Sequence, residues 1–214
     1  HQGAKFITKF NSNGWDGVVK LFRYNQFPIG LLRRVLTILK KDNIPYKILD
    51  KRSTISYGNP LVIDPNCFFK PRSYQQAAVD ACIKRGSGIV KIATGGGKTG
   101  TLSMLAGHYN VKTIIYVIGV ELLYQMKSTL ETLYPELDVG IIGDGKCDVK
   151  KINIATIWSA AAAFNKKIDI LDSDLTYDKT SNKDIDKEKV RKAINEAELF
   201  ILDECQYAAA NTVQ

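Results

Sequence analysis

Ile89-Val90-Lys91-Ile92-Ala93-Thr94-Gly95-Gly96-Gly97-Lys98-Thr99 is the stretch that decides how this chain folds. Its apolar half reads as a strand, its glycines as a tight turn, and the residues from Gly97 to Tyr109 as a helix. Three consecutive glycines let the backbone adopt dihedrals that a Cβ forbids and come close to a ligand. Thr94, Gly95, Gly96 and Gly97, with the first helical turn, therefore present a row of N–H groups suited to phosphate. Lys98 would reach the β- and γ-phosphates of ATP, and the Thr99 hydroxyl would ligate Mg²⁺. The strict form of this loop asks for glycine where Ile92 stands.

Outward from the loop, short apolar runs alternate with helical patterns. Ser87 to Thr94, Val111 to Ile118, Val139 to Ile142, Lys151 to Ile157 and Leu199 to Asp203 are expected strands. Tyr74 to Lys84, Gly97 to Tyr109, Val120 to Leu133 and Asp186 to Ala197 are expected helices. This alternation specifies an α/β fold with a parallel sheet covered on both faces, because each crossover needs a helix. Ligands then gather at the carboxyl ends of the strands. Leu199-Phe200-Ile201-Leu202-Asp203-Glu204 supplies an acidic pair at such an end. Asp203 would hold the Mg²⁺ shell, and Glu204 would orient and deprotonate the attacking water. Residues 169 to 189 are charged and poor in apolar side chains, as expected of a solvated insertion.

The first third has a different character. Residues 1 to 66 hold eleven Lys/Arg against four Asp/Glu, whereas residues 67 to 214 hold 19 against 18. Excess positive charge of this kind suits a polyanion, since neutralising phosphates releases counterions. Lys5 to Leu21 reads as a hairpin around Asn11-Ser12-Asn13-Gly14, Tyr46 to Leu49 as a strand, and Gly30 to Lys40 as an amphipathic helix. Leu31, Leu32, Val35, Leu36 and Leu39 form its apolar side, and Arg33, Arg34, Lys40 and Lys41 its basic side. Residues 1–66 are accordingly expected to be a small basic α+β accessory domain that binds DNA, with residues 67–214 forming the nucleotide-binding domain. Cys67, Cys82, Cys147 and Cys205 have no metal-binding spacing, and the chain has two histidines. No structural metal is expected, and unpaired cysteines suit a reducing cytoplasm. No apolar run is long enough to span a bilayer, so no membrane association is expected.

Five elements in order carry a resemblance. Arg72-Ser73-Tyr74-Gln75, Gly95-Gly96-Gly97-Lys98-Thr99, Leu122-Leu123-Tyr124-Gln125, Ala155-Thr156-Ile157-Trp158-Ser159 and Asp203-Glu204-Cys205-Gln206 resemble the motif series of superfamily 2 helicases. An apolar residue at the position of Ile92 is tolerated in those P-loops. Phe10-Asn11-Ser12-Asn13-Gly14-Trp15-Asp16-Gly17 and Phe27-Pro28-Ile29-Gly30-Leu31-Leu32 are similar to the amino-terminal domain of UvsW-type bacteriophage helicases. The resemblance implies a RecA-like P-loop lobe that binds ATP and Mg²⁺, preceded by an accessory domain that helps hold branched or forked DNA. It implies that Gln75 reads the adenine edge with Arg72 or Tyr74 packing near the base. It implies further that Gln125, Thr156, Trp158 and Ser159 line a DNA track.

Two departures qualify these implications. Gln206 stands where much of the family has His. The chain also stops at Gln214, so the second motor lobe and its arginine finger are expected to lie outside it, leaving this chain a weak nucleotide binder and a poor ATPase.

Overall fold

The computed structural model describes residues 21–22, 24–51, 57–165 and 186–205, in two compact units, His1–Arg52 and Ser53–Gln214. In the first unit a 3-10 turn at Ile29–Leu31 runs into helix α1, Leu32–Lys41. Leu32, Val35, Leu36 and Leu39 are half-buried along one side, and Arg33, Arg34, Lys40 and Lys41 are exposed on the other, as the 3.6-residue spacing requires. Tyr46 to Leu49 is not the expected strand. It has no ladder partner among the described residues, and without one an extended segment gains no inter-strand hydrogen bonds. The expected hairpin at residues 5–21 falls almost wholly outside the described residues.

The second unit is built on a sheet of five described strands: β1 (Thr113–Val117), β2 (Val139–Gly143), β3 (Lys146–Asp148), β4 (Ile152–Thr156) and β5 (Leu199–Leu202). Their order is β3-β2-β4-β1-β5. All neighbours run parallel except β2 and β3, which form an antiparallel hairpin through Asp144-Gly145. The register sets Ile115 beside Ile154 on β4 and Ile201 on β5, a β-branched layer that packs well on a pleated surface.

Helices close both faces. On one side lie α3 (Lys98–Tyr109) and α4 (Val120–Leu133), whose Met104, Ala106, Leu123, Met126, Leu130 and Leu133 pack with Ile115, Val117, Ile152 and Ile154. Helix α2 (Ser73–Arg85) adds Val79 to that core. On the other side, α5 (Ile157–Ala163) and α6 (Lys187–Asn195) bring Ala163 and Val190 against Ile114, Ile142 and Ala155. Ile114 and Ile115 are both fully buried but face opposite layers, which is what period-two alternation demands of a strand covered twice. The expected RecA-like α/β architecture is borne out.

Three boundaries differ from the sequence-based expectation. Ser87 to Thr94 joins no ladder among the described residues: Ile89 is 83% exposed, and the segment faces Leu202 to Cys205 across a shared cavity. An apolar run records a tendency to be buried, but a strand also needs a neighbour within hydrogen-bonding distance. Residues 57–64 belong with the second unit, because Gly58, Leu61 and Asp64 donate backbone hydrogen bonds to Tyr109, Gly107 and Leu133. At the far end, residues 166–185, most of the expected insertion, lie outside the described residues, while Lys187 already starts α6 with Asp186 as its cap.

Candidate nucleotide-binding site

Helix α3 begins at the last glycine of the loop. Gly95 and Gly97 have φ of +76° and +75°, the left-handed region in which side chains are strained. A Cβ on Gly97 would also come within 2.6 Å of Gln75 Nε2. Gly97→Ala is therefore expected to cost about 1–2 kcal/mol of stability and to weaken nucleotide binding. Thermal unfolding and a nucleotide titration of the variant would check both effects.

Across the loop stands the end of β5. The backbone N–H of Asp203 donates to Tyr116 O of the neighbouring strand, fixing the acidic pair at the carboxyl edge of the sheet. Asp203 is buried, and its Oδ1 accepts the Glu204 N–H at 3.0 Å. Burial pushes the Asp203 carboxyl above its ordinary range, offset in part by that backbone hydrogen bond. Glu204 turns back with φ +54°, a left-handed conformation that aims its carboxylate toward the loop. Lys98 Nζ donates to Glu204 Oε1 at 2.5 Å, across 106 residues of sequence. This hydrogen bond, with the surrounding negative charge, holds the Lys98 ammonium above the usual lysine range. Both side chains are about one-third exposed, so a ligand can reach them. Together with Asp203, Ile89 to Ile92, Leu102 and Cys205 they line a cavity of about 440 Å³.

The residues expected near the base do something more specific. Gln75 is almost fully buried; its Oε1 accepts the Arg72 N–H at 2.9 Å, and its Nε2 donates to Gly97 O at 3.1 Å. In this arrangement the Gln75 amide is engaged with the glycine loop and the start of α2. Tyr74 and Arg72 are exposed on the same turn, with the Tyr74 hydroxyl donating to Gly96 O.

The expected DNA-track residues divide. Gln125 is exposed on α4. Thr156 and Ser159, by contrast, are 3% and 1% exposed; Thr156 Oγ1 accepts the Ser159 N–H as the cap of α5 and donates to Ser159 Oγ. They hold α5 onto β4, with neither hydroxyl facing solvent. Trp158 Nε1 donates to Ile118 O, tying α5 to the end of β1. One cluster at this edge was not foreseen from the sequence. Tyr124 OH donates to Asp144 Oδ2 at 2.7 Å and accepts from Lys146 Nζ at 2.7 Å, joining α4 to the β2–β3 turn. The Asp144-Gly145 dipeptide was the signal for that turn.

A glycine loop that opens a helix and faces an acidic pair at the end of a parallel strand defines a P-loop nucleoside-triphosphate-binding lobe. The chain belongs to the family described as type III restriction enzyme, res subunit, which matches residues 68–214. It is similar to the DNA 3'-5' translocase XPB2 of Sulfurisphaera tokodaii, 37% identical over 89 residues that make up 42% of this chain and 20% of that one. It is also similar to the putative ATP-dependent helicase IRC3 of Saccharomyces cerevisiae, 30% identical over 166 residues, 68% of this chain and 20% of the relative. The crystal structure of T4 UvsW shares the fold, with a TM-score of 0.54 and 18% identity over 94% of this chain and 45% of that one. The chain thus spans about a fifth of the length of the relatives it matches. The superfamily 2 relationship expected from the ordered motifs is borne out.

Proposed function

We propose that this chain is the accessory segment and first motor lobe of an ATP-dependent DNA helicase or branch-migrating translocase. One observation carries the reading: Lys98, Asp203 and Glu204, drawn from the glycine loop and a strand end far away in sequence, line one accessible cavity. In this reading the loop N–H groups and Lys98 hold the phosphates of ATP. The phosphates draw the Lys98 ammonium from Glu204, whose carboxylate is then released to orient and deprotonate the attacking water. Thr99 and Asp203 offer hard oxygen donors of the kind Mg²⁺ takes, and a buried carboxyl with a raised pKa is one that a cation would stabilise in its charged form. Bound there, Mg²⁺ would neutralise charge developing between the β- and γ-phosphates. The test is ATP turnover by the intact enzyme with and without DNA. DNA-stimulated hydrolysis supports the reading, and its absence contradicts it.

DNA, branched or forked, is the proposed partner, and the cytoplasm, where ATP and DNA meet, the proposed location. Among the described residues no helix is long and apolar enough to cross a membrane. Arg33, Arg34, Lys40 and Lys41 on α1 are proposed to grip phosphates. Changing all four to alanine is expected to lower DNA affinity and to flatten the slope of log K against log salt by about 0.9 for each phosphate that is no longer neutralised. An unchanged slope would contradict this assignment. The family description and the relative named as a translocase favour a second reading, movement along duplex DNA without strand separation. Strand-displacement and triplex-displacement assays on the intact enzyme distinguish the two: triplex displacement alone selects the second.

A further inference from the structure

We propose that Tyr74 is a positioning residue of the nucleotide site, a clasp that aims the phosphate loop through its hydroxyl rather than a ring that packs on the base. The proposal rests on the nucleotide-binding reading above. The Tyr74 hydroxyl donates to Gly96 O at 2.8 Å and accepts from Arg72 Nη1 at 3.0 Å. Gly96 O also receives Gln75 Nε2 at 3.5 Å, and Gly97 O receives the same amide at 3.1 Å. A trans peptide is planar, so its C=O and its N–H point in opposite directions. Turning Gly96 O toward Tyr74 therefore aims the Gly97 N–H away from α2, while Gly97 O, which sets the Lys98 N–H, is held both by Gln75 and by the Thr101 N–H of α3 at 3.1 Å. These two N–H groups are donors that a phosphate cradle at this loop would use.

The glycines give such a clasp something to restrain. The peptides around Gly95, Gly96 and Gly97 have no side chains of their own, and the contacts from α2 add to the turn bond from the Gly96 N–H to Ala93 O and to the Thr101 N–H on Gly97 O in holding the donor geometry before a ligand arrives. Gln75 is buried and holds one carbonyl from below. Tyr74 is 42% exposed, so packing alone does not force its hydroxyl onto Gly96; the hydrogen bond does. The Arg72 guanidinium, donating to the same hydroxyl, polarises it into a better donor. Arg72 and Gly96 thereby become the two ends of one short relay.

The discriminating probe is an anion without a base. Binding of Mg²⁺-pyrophosphate and of Mg²⁺-ADP to the intact enzyme is measured by calorimetry for wild type and Tyr74→Phe, which keeps the ring and removes only the hydroxyl. The clasp predicts that both affinities fall about three- to tenfold, by a similar factor. It also predicts that the preference for ADP over GDP is unchanged, and that amide hydrogen exchange across residues 94–98 quickens. Affinities and exchange like those of wild type would overturn the proposal. So would a change in ADP-over-GDP preference with pyrophosphate binding intact, which is the signature of a base-packing residue. If the intact wild-type enzyme binds neither pyrophosphate nor ADP, the nucleotide-binding reading itself fails, an outcome distinct from normal wild-type binding that Tyr74→Phe leaves untouched.

Discussion

Lys98→Ala is expected to abolish DNA-stimulated ATP hydrolysis by the intact enzyme while leaving its affinity for DNA within about twofold. Lys98 is the cation that the glycine loop itself brings to the cavity, and it stands at the first position of a helix whose N-terminus favours anions. Removing one preorganised donor to a charged transition state costs about 10²–10³ in turnover. Here the loss should be at least of that order, because the substitution also leaves Glu204 without the ammonium that faces it at 2.5 Å. DNA affinity is spared because the proposed phosphate contacts of α1 belong to another unit of the chain. Turnover within a few-fold of wild type, measured by phosphate release at saturating DNA, would remove the P-loop from the mechanism.

Glu204→Gln is expected to separate binding from chemistry. The amide keeps the shape of the side chain but cannot accept a proton from water, and general-base catalysis is worth roughly 10²–10⁴. Its effect on binding should run the other way. A neutral amide competes less than a carboxylate for Lys98, so nucleotide affinity should hold or rise several-fold while turnover collapses. Single-turnover hydrolysis beside a fluorescent-nucleotide titration reads both quantities. Loss of binding and turnover in parallel would instead make Glu204 a support for the loop.

The chemistry at the strand ends was more legible than the scaffold around it. Val120–Leu133 forms a helix with the bounds expected, because an apolar stripe with a clear period survives almost any tertiary context. The Lys98, Asp203 and Glu204 convergence was also readable, since the glycine loop and the acidic pair each follow an apolar run. Pairing is what local pattern does not encode. Ile89 to Ile92 has the composition of a strand yet joins no ladder among the described residues, and Tyr46 to Leu49 fails likewise. Side-chain direction is also hidden from one dimension. Thr156 and Ser159 sit in a motif expected to face DNA, but three residues apart at a helix start is also the spacing of a cap, and the two side chains form that cap, buried. The alanine run after Thr156 could have announced α5, and Gln75 gave no sign that its amide would turn to Gly97 O.

The central claim is that the loop from Thr94 to Thr99 and the pair Asp203-Glu204 form one ATP site. Its most direct test is calorimetric titration of the intact enzyme with a non-hydrolysable ATP analogue and Mg²⁺, run beside Lys98→Ala. Saturable one-to-one binding by wild type, weakened at least about tenfold in the variant, is the predicted result. Identical isotherms for the two proteins, or no heat from wild type at millimolar nucleotide, would contradict it.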